Sequence, residues 1–306
     1  MDYDIIGDVH GQDGKLTALL TKLGYRVKGG AYRHPAGRIA VFVGDLIDRG
    51  PGQVEVIDTV RRMVDAGSAR AVLGNHEINA IGFVTLDEDG EFLRPNNLKN
   101  RKQHDAFLTQ IGEGSNLHRE VIDWFKTMPI YLDLDGIRVV HAWWDDAAVA
   151  QLDRCYWDSR GRMADEFLHA SYVKGSALMA ARKLLTCGVE WDLPDGCVFV
   201  DKEGHPHDEA RLAVWRHWAK RLPEMALVPS SAQDAVPDIE IPTEFVIGPV
   251  EGSPILFGHH WFSGDVALET SKVACLDWSA AREGPLVAYR WDGEPELSND
   301  KLVWVG

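Results

Sequence analysis

Five short apolar runs in this 306-residue chain each break, at the C-terminal end, directly into glycine or a polar side chain of the kind that binds metals. Tyr3 to Ile6 precedes GDVHG, Ile39 to Val43 precedes GDLIDRG, and Ala69 to Leu73 precedes GNHE. Ile137 to Val140 precedes His141, and Ile255 to Phe257 precedes GHH. Runs of this length, rich in Val and Ile and bounded by Gly, predict buried strands. Gly14 to Leu23 and Gln53 to Ala66, between the first three runs, repeat apolar residues near every 3.6 positions and stop close to Gly24 and Gly67, so they predict helices. Strand and helix in alternation make βαβ units, and such sheets gather ligands outside the carboxyl ends of their strands. The polar loops therefore fall where a site belongs.

Asp8 and His10 follow the first run one residue apart, so an extended loop turns both side chains the same way. Asp45 follows the second run, Asn75 the third, His141 the fourth and His259 the fifth. A single Asp or His at a strand end is ordinarily a cap or a turn former. Five such loops in strand register have no such ordinary explanation. Carboxylate, imidazole and amide donors without thiolate suit Mn²⁺, Fe or Zn²⁺ in five- or six-coordinate sites. A single ion rarely uses six protein ligands of this mix; two ions about 3.5–4 Å apart, bridged by a carboxylate, would use them and activate a water for attack on phosphorus.

The acidity of the chain narrows the partners. Lys and Arg number 32 against 47 Asp and Glu, a formal charge of −15, with no basic stripe. That opposes attraction to nucleic-acid backbone and to anionic membrane, and leaves room for an anionic substrate only where ions or a few arginines reverse the local potential. Cys155, Cys187, Cys197 and Cys275 form no CxxC pair and read as reduced thiols. The N-terminus carries acids where a secretion signal is basic, and no apolar run approaches about 18 residues, so the expected location is cytoplasmic.

The chain reads as a single domain, residues 1–306, with insertions at about 79–136 and 143–253. The first contains two helical stretches, NNLKNRKQHDAFLTQI and HREVIDWFKTM. The second is less regular. It predicts helices over Glu166 to Leu185 and Asp208 to Leu222, then a Pro-rich surface crossing from Pro229 to Pro254. Val273 to Asp277 and Leu286 to Trp291 read as a terminal β-hairpin.

GDVHG, GDLIDRG and GNHE in that order, followed by a strand-terminal His141 and by GH at 258–259, resemble the calcineurin-like metallophosphoesterases. The form of the three motifs is similar to the phosphoprotein phosphatase branch, which includes bacterial diadenosine tetraphosphatases. The resemblance implies an α/β fold in which two mixed β-sheets pack as a sandwich flanked by helices. It implies two divalent transition metal ions, Mn²⁺ first, with Fe, Zn, Ni or Co as alternatives. Asp8 and His10 would hold the first, Asp45 would bridge, and Asn75, His141 and His259 would hold the second. His76 would protonate the leaving oxygen, Asp48 would orient His76, and Arg49 would clamp the phosphate. Gly44 and Gly50 bracket that turn, where the chain must reverse closely around its ligands.

Two departures bear on substrate. The fourth loop reads HAWWDD, and the fifth reads GHHWF where the family has Thr after GH, so His259 is the ligand by position and His260 the second choice. A further phosphate-binding arginine is expected from the second insertion; DEARLAVWRHW offers Arg211 and Arg216, with Arg211 preferred. Trp143, Trp144 and Trp261 flank ligand loops and read first as sheet packing, second as an aromatic wall for a leaving group.

The expected activity is hydrolysis of a phosphate ester, first as a phosphomonoesterase of the Ser/Thr protein phosphatase type and second as a dinucleoside polyphosphate hydrolase. Substrates are accordingly phosphoproteins, small phosphate esters or dinucleoside polyphosphates. A nuclease-type phosphodiesterase requires a basic stripe, and a non-catalytic module would have lost a ligand or the acid. Neither description fits this sequence. Oligomeric state stays open.

Overall fold

The computed structural model describes all residues except 195, 201–205 and 229, with the side chains of residues 230 and 231 also outside the description. The described residues form two compact units, residues 1–186 with 253–306, and residues 187–252.

The larger unit opens as its hydrophobic periodicity dictates. Strand β1 (Tyr3–Ile6) leads to α1 (Asp13–Leu23), a short hairpin of β2 (Arg26–Lys28) and β3 (Ala31–Arg33), then β4 (Ile39–Phe42), α2 (Gln53–Asp65) and β5 (Ala69–Ala71). Leu16, Leu19, Leu20 and Leu23 line the buried stripe of α1, and Gly24 in the left-handed region closes it. Helices α3 (Asn75–Val84), α4 (Leu98–Ile111) and α5 (Asn116–Phe125) follow, and Asn97 and Ser115 cap the last two by accepting from backbone N–H groups. Strands β6 (Tyr131–Leu134) and β7 (Ile137–Val140) come next, then α6 (Asp146–Asp153), α7 (Asp165–Ala170) and α8 (Ala177–Cys187). The single helix expected over Glu166 to Leu185 is therefore two, broken across 171–176, where Ser176 turns its hydroxyl to the Ala170 carbonyl.

The smaller unit holds β8 (Val189–Asp192), β9 (Phe199–Val200), β10 (Pro206–His207), β11 (Glu209–Leu212) and α9 (Leu222–Met225). The helix expected over Asp208 to Leu222 is absent. Glu209–Leu212 pairs antiparallel with Val189–Asp192, and Ala210 and Leu212 are buried while Glu209 and Arg211 are not. Alternation with period 2 was embedded in a stretch that also fits a helix. Of the Pro-rich stretch, Pro229 lies outside the described residues, and Ser230–Ala235 and Thr243–Phe245 are 3₁₀ turns.

Strands β12 (Ile255–Phe257), β13 (Val273–Cys275), β14 (Leu286–Trp291) and β15 (Leu302–Val305) complete the larger unit. One mixed sheet runs β15-β14-β1-β4-β5 and the other β13-β12-β7-β6. The expected terminal hairpin is thus corrected: β13 lies parallel to β12 in the second sheet, whereas β14 lies antiparallel to β1 in the first. Turn-forming residues between two apolar runs fit a hairpin and a sheet-to-sheet crossing equally well.

The two sheets pack face to face. Ile5, Val41, Val287 and Tyr289 from the first share one core with Ile137, Val139, Leu256 and Ala274 from the second. The α/β sandwich of two mixed sheets is the expected fold. Among the described residues, no helix is long and apolar enough to cross a membrane, and all four cysteines are unbridged.

Candidate metal centre

The five loops meet because their strands do. Val9 and His10 donate backbone N–H groups to the Asp45 carbonyl, and Gly50 donates to the His10 carbonyl, which stitches the β1 and β4 loops together. Gly258 donates to the carbonyl of His141 and so joins the β12 and β7 loops. Close approach at these joints requires glycine: a Cβ on Gly50 would lie 2.3 Å from the His10 oxygen, and one on Gly258 would lie 1.7 Å from Asp8 Oδ1. His10, Asp45, Asp48, Arg49, His259 and Trp261 all adopt positive φ, from 46° to 71°, a conformation costly for residues with a side chain. Such strain persists only where the surroundings over-determine it, and it collects at functional sites.

At the centre, acceptor atoms face one another. His10 Nδ1 donates to the Ile47 carbonyl at 2.7 Å, which leaves Nε2 with its lone pair, 3.5 Å from Asp45 Oδ2. His141 Nδ1 lies 2.8 Å from the Val43 carbonyl, and its Nε2 lies 3.3 Å from Asp45 Oδ2 and 3.1 Å from Asn75 Oδ1. His259 Nδ1 is 2.9 Å from the same Asn75 oxygen. Asp8 accepts from the His259 N–H through Oδ2, while its Oδ1, buried, has no donor among the described residues; the same holds for His10 Nε2. The ligand atoms of His10, Asp45 and His76, and those of Asp45, His141 and His259, cluster as two groups sharing Asp45. Carbonyl partners on the outer nitrogens are how proteins fix metal-binding imidazoles.

Electrostatics agree with a site for cations. Burial and the neighbouring Asp277 hold the Asp8 carboxyl well above its ordinary range. Burial pushes His10 down to about 3, which keeps its imidazole neutral. Burial opposes protonation of His141, yet the Asp45 charge and hydrogen bond outweigh it and push the imidazole up to about 10.

Beside the cluster is a second arrangement. His76 Nδ1 is hydrogen-bonded to Asp48 Oδ2, and the other Asp48 oxygen lies 3.0 Å from His104 Nδ1. Burial pushes His76 down, but Asp45 and Asp48 outweigh it and hold the imidazole above its usual value. Burial raises Asp48, and the bonds from His104 and His76 bring it below the carboxylate range. Gln53 fixes the turn by accepting from the Asp48 N–H and donating to the Gly50 carbonyl.

Arg49 lies over the Trp261 ring, its guanidinium carbon 3.8 Å from the centroid. Trp143 and Trp144 are buried against Phe257 and Tyr131, as packing residues. His260 Nε2 faces the Ala142 carbonyl at 3.3 Å. Arg211 belongs to the smaller unit, where its guanidinium lies 3.5 Å from Glu190, and Arg216 donates to the Glu224 carbonyl. The structure thus gathers Asp8, His10, Asp45, Asp48, Asn75, His76, His141 and His259 within one unit.

Sequence reasoning missed three supporting residues. Glu77, the last residue of GNHE, accepts backbone N–H groups from Asp45, Leu46, Ile47 and Gly74, and so shapes the Asp45 loop. His104 sits on α4 with no motif to announce it. Asp277 follows β13 and carried the same strand-end signal as the others, obscured by the expected hairpin.

Residues 1–180 match the family model of calcineurin-like phosphoesterases. The chain is similar to proteins named asymmetrical bis(5'-nucleosyl)-tetraphosphatase PrpE. Identity is 55% over 76 residues with that of Halalkalibacterium halodurans, covering 25% of this chain and 31% of the relative. It is 35% over 142 residues with that of Oceanobacillus iheyensis, covering 46% and 55%. With that of a Geobacillus species, strain WCH70, it is 46% over 142 residues, covering 46% and 56%. The chain thus spans between about a third and just over half of these relatives' length. A family match over more than half of the chain, on the sandwich that carries the clustered ligand loops, makes this chain a member of the calcineurin-like phosphoesterase family.

Proposed function

We propose that this protein hydrolyses dinucleoside polyphosphates at a dinuclear metal centre, cleaving one phosphoanhydride asymmetrically with water. The observation that carries the substrate class is the identity of 55% over 76 residues and of 35% over 142 residues with proteins named as tetraphosphatases. This inverts the order expected from sequence, where a phosphomonoesterase came first.

The donor set fits two cations. Asp8 and His10 would hold one, Asn75, His141 and His259 would hold the other, and Asp45 would be a ligand common to both. When bound, the ions supply Lewis-acid activation of a water and of the phosphoryl oxygens; Mn²⁺ suits these oxygen and imidazole donors.

The chain's own residues do the rest. His76, held through Nδ1 by Asp48, presents Nε2 to protonate the departing phosphate oxygen. Asp48 fixes the ring and stabilises its cationic form, and His104, whose Nδ1 lies 2.8 and 3.0 Å from the two carboxylate oxygens, orients Asp48. Arg49 offers a planar fork to the reacting phosphate.

The test is turnover by Mn²⁺-reconstituted protein on diadenosine tetraphosphate, a phosphothreonine peptide, p-nitrophenyl phosphate and bis-p-nitrophenyl phosphate, with His76→Ala as control. The expected result is the highest kcat/KM on the dinucleotide, with AMP and ATP as products. Higher kcat/KM on the peptide or on the monoester would overturn the reading.

A further inference from the structure

We infer that Arg282 and Arg49, which share the Trp261 ring, form an anion subsite for the phosphates next to the one that reacts, and so select a polyphosphate chain over a lone phosphate. The substrate class here rests on the reading above; the subsite itself rests on geometry.

Arg282 lies in the loop between β13 and β14, and its guanidinium carbon is 4.7 Å from the Trp261 centroid. Arg49 approaches the same ring at 3.8 Å. Both arginines are exposed, and among the described residues neither has a carboxylate oxygen within 4.0 Å. In a chain with 47 acidic residues, two neighbouring guanidiniums without an ion pair place exposed cations beside the buried ligand loops. Bringing like charges together costs free energy, which a bound polyanion would offset. The indole ring lies against both cations and uses none of their N–H donors, which can serve an anion.

The backbone beneath this pair is built. The two oxygens of buried Asp277 accept from the N–H groups of Trp261 and Ser279, both at 2.9 Å, so one carboxylate sets both loops. Trp261 and Ser279 take positive φ, of 52° and 62°. Arg282 N–H donates to the Ser279 carbonyl, and the Lys15 ammonium on α1 donates to the carbonyls of Ala280 and Gly284 at 2.9 and 2.8 Å. Ser279 Oγ ties back to the Phe262 carbonyl at 3.0 Å. Only the side chain of Arg282 needs to move to meet a ligand. A monoester presents one phosphate and engages Arg49; a polyphosphate presents consecutive ones and engages both.

The probe is competition against p-nitrophenyl phosphate in the Mn²⁺-loaded enzyme, with Mn²⁺ in excess, using inorganic tripolyphosphate and orthophosphate as inhibitors. Calorimetric binding of the same two anions reads the preference without turnover. The native protein is expected to prefer tripolyphosphate by about tenfold or more, the size of one charge-assisted hydrogen bond. Arg282→Gln and Trp261→Leu should remove most of that preference. Arg282→Lys should keep part of it, since the charge stays and the fork goes. Arg26→Gln, on an exposed strand, should keep it all. An unchanged preference in Arg282→Gln, or an equal loss in Arg26→Gln, would overturn the subsite. A native protein that prefers tripolyphosphate through Arg282 yet does not cleave the dinucleotide leaves the subsite standing and removes the substrate reading; cleavage with an Arg282-independent preference does the reverse.

Discussion

The strand-end loops of the larger unit and the strands of the smaller unit are built on opposite principles. In the loops, seven non-glycine residues sit at positive φ, and carboxylates and imidazoles are buried with their acceptor atoms turned toward one another. Residues 187–252 hold no such backbone among those described, and their ion pairs, Arg221 with Asp238 and Arg211 with Glu190, are at least partly open to solvent. Each buried, like-charged arrangement costs folding free energy unless a ligand compensates it. The contrast teaches where ligand binding is invested: a bound cation compensates the buried acceptor atoms of the loops, whereas the described ion pairs of the smaller unit need no ligand.

The comparison is broken most severely at Asp45, the residue common to both ligand groups. Asp45→Ala should abolish detectable turnover and leave at most one metal equivalent, measured by elemental analysis. His76→Ala should lower kcat by about 10²–10⁴-fold, the usual range for a positioned acid, while metal content stays at the native level. Retention of full kcat would remove His76 from the chemistry. His104→Ala acts through Asp48 and should cost about 10–100-fold in kcat, with a shifted pH profile that a merely structural loss would not produce. Metal affinity should itself depend on pH. The carboxyl of Asp8 is raised by burial and Asp277, and His141 is pushed up to about 10 by Asp45 against its burial. Protons therefore compete with the ions, so Mn²⁺ binds more tightly at pH 8 than at pH 6 and releases protons into calorimetry buffers. On the other side of the comparison, Arg221→Ala should leave the denaturant-unfolding midpoint nearly unchanged, as exposed pairs do.

The sequence made the site more legible than the fold around it. Glycine-bounded apolar runs can be read because buried strands and tight turns each impose their own composition, so the cluster of Asp8, His10, Asp45, Asn75, His141 and His259 could be anticipated from position alone. Asp48 and His76 became meaningful through the resemblance. The β13–β14 connection was not legible, since the local sequence does not record whether a chain turns back within a sheet or crosses to the other. That ambiguity hid Asp277 and, with it, the loop of Arg282. His104 was silent for a different reason: a buried histidine on a helix face has the spacing of a core residue. Glu209–Leu212 alternates too briefly to distinguish strand from helix.

The central claim is that the five loops hold two metal ions through a shared Asp45. Crystals of Mn²⁺-loaded protein measured at the manganese absorption edge test it directly. The account predicts two anomalous peaks about 3.5–4 Å apart, with Asp45 between them, Asp8 and His10 on one and Asn75, His141 and His259 on the other. A single peak, or two peaks that do not share Asp45, would contradict it.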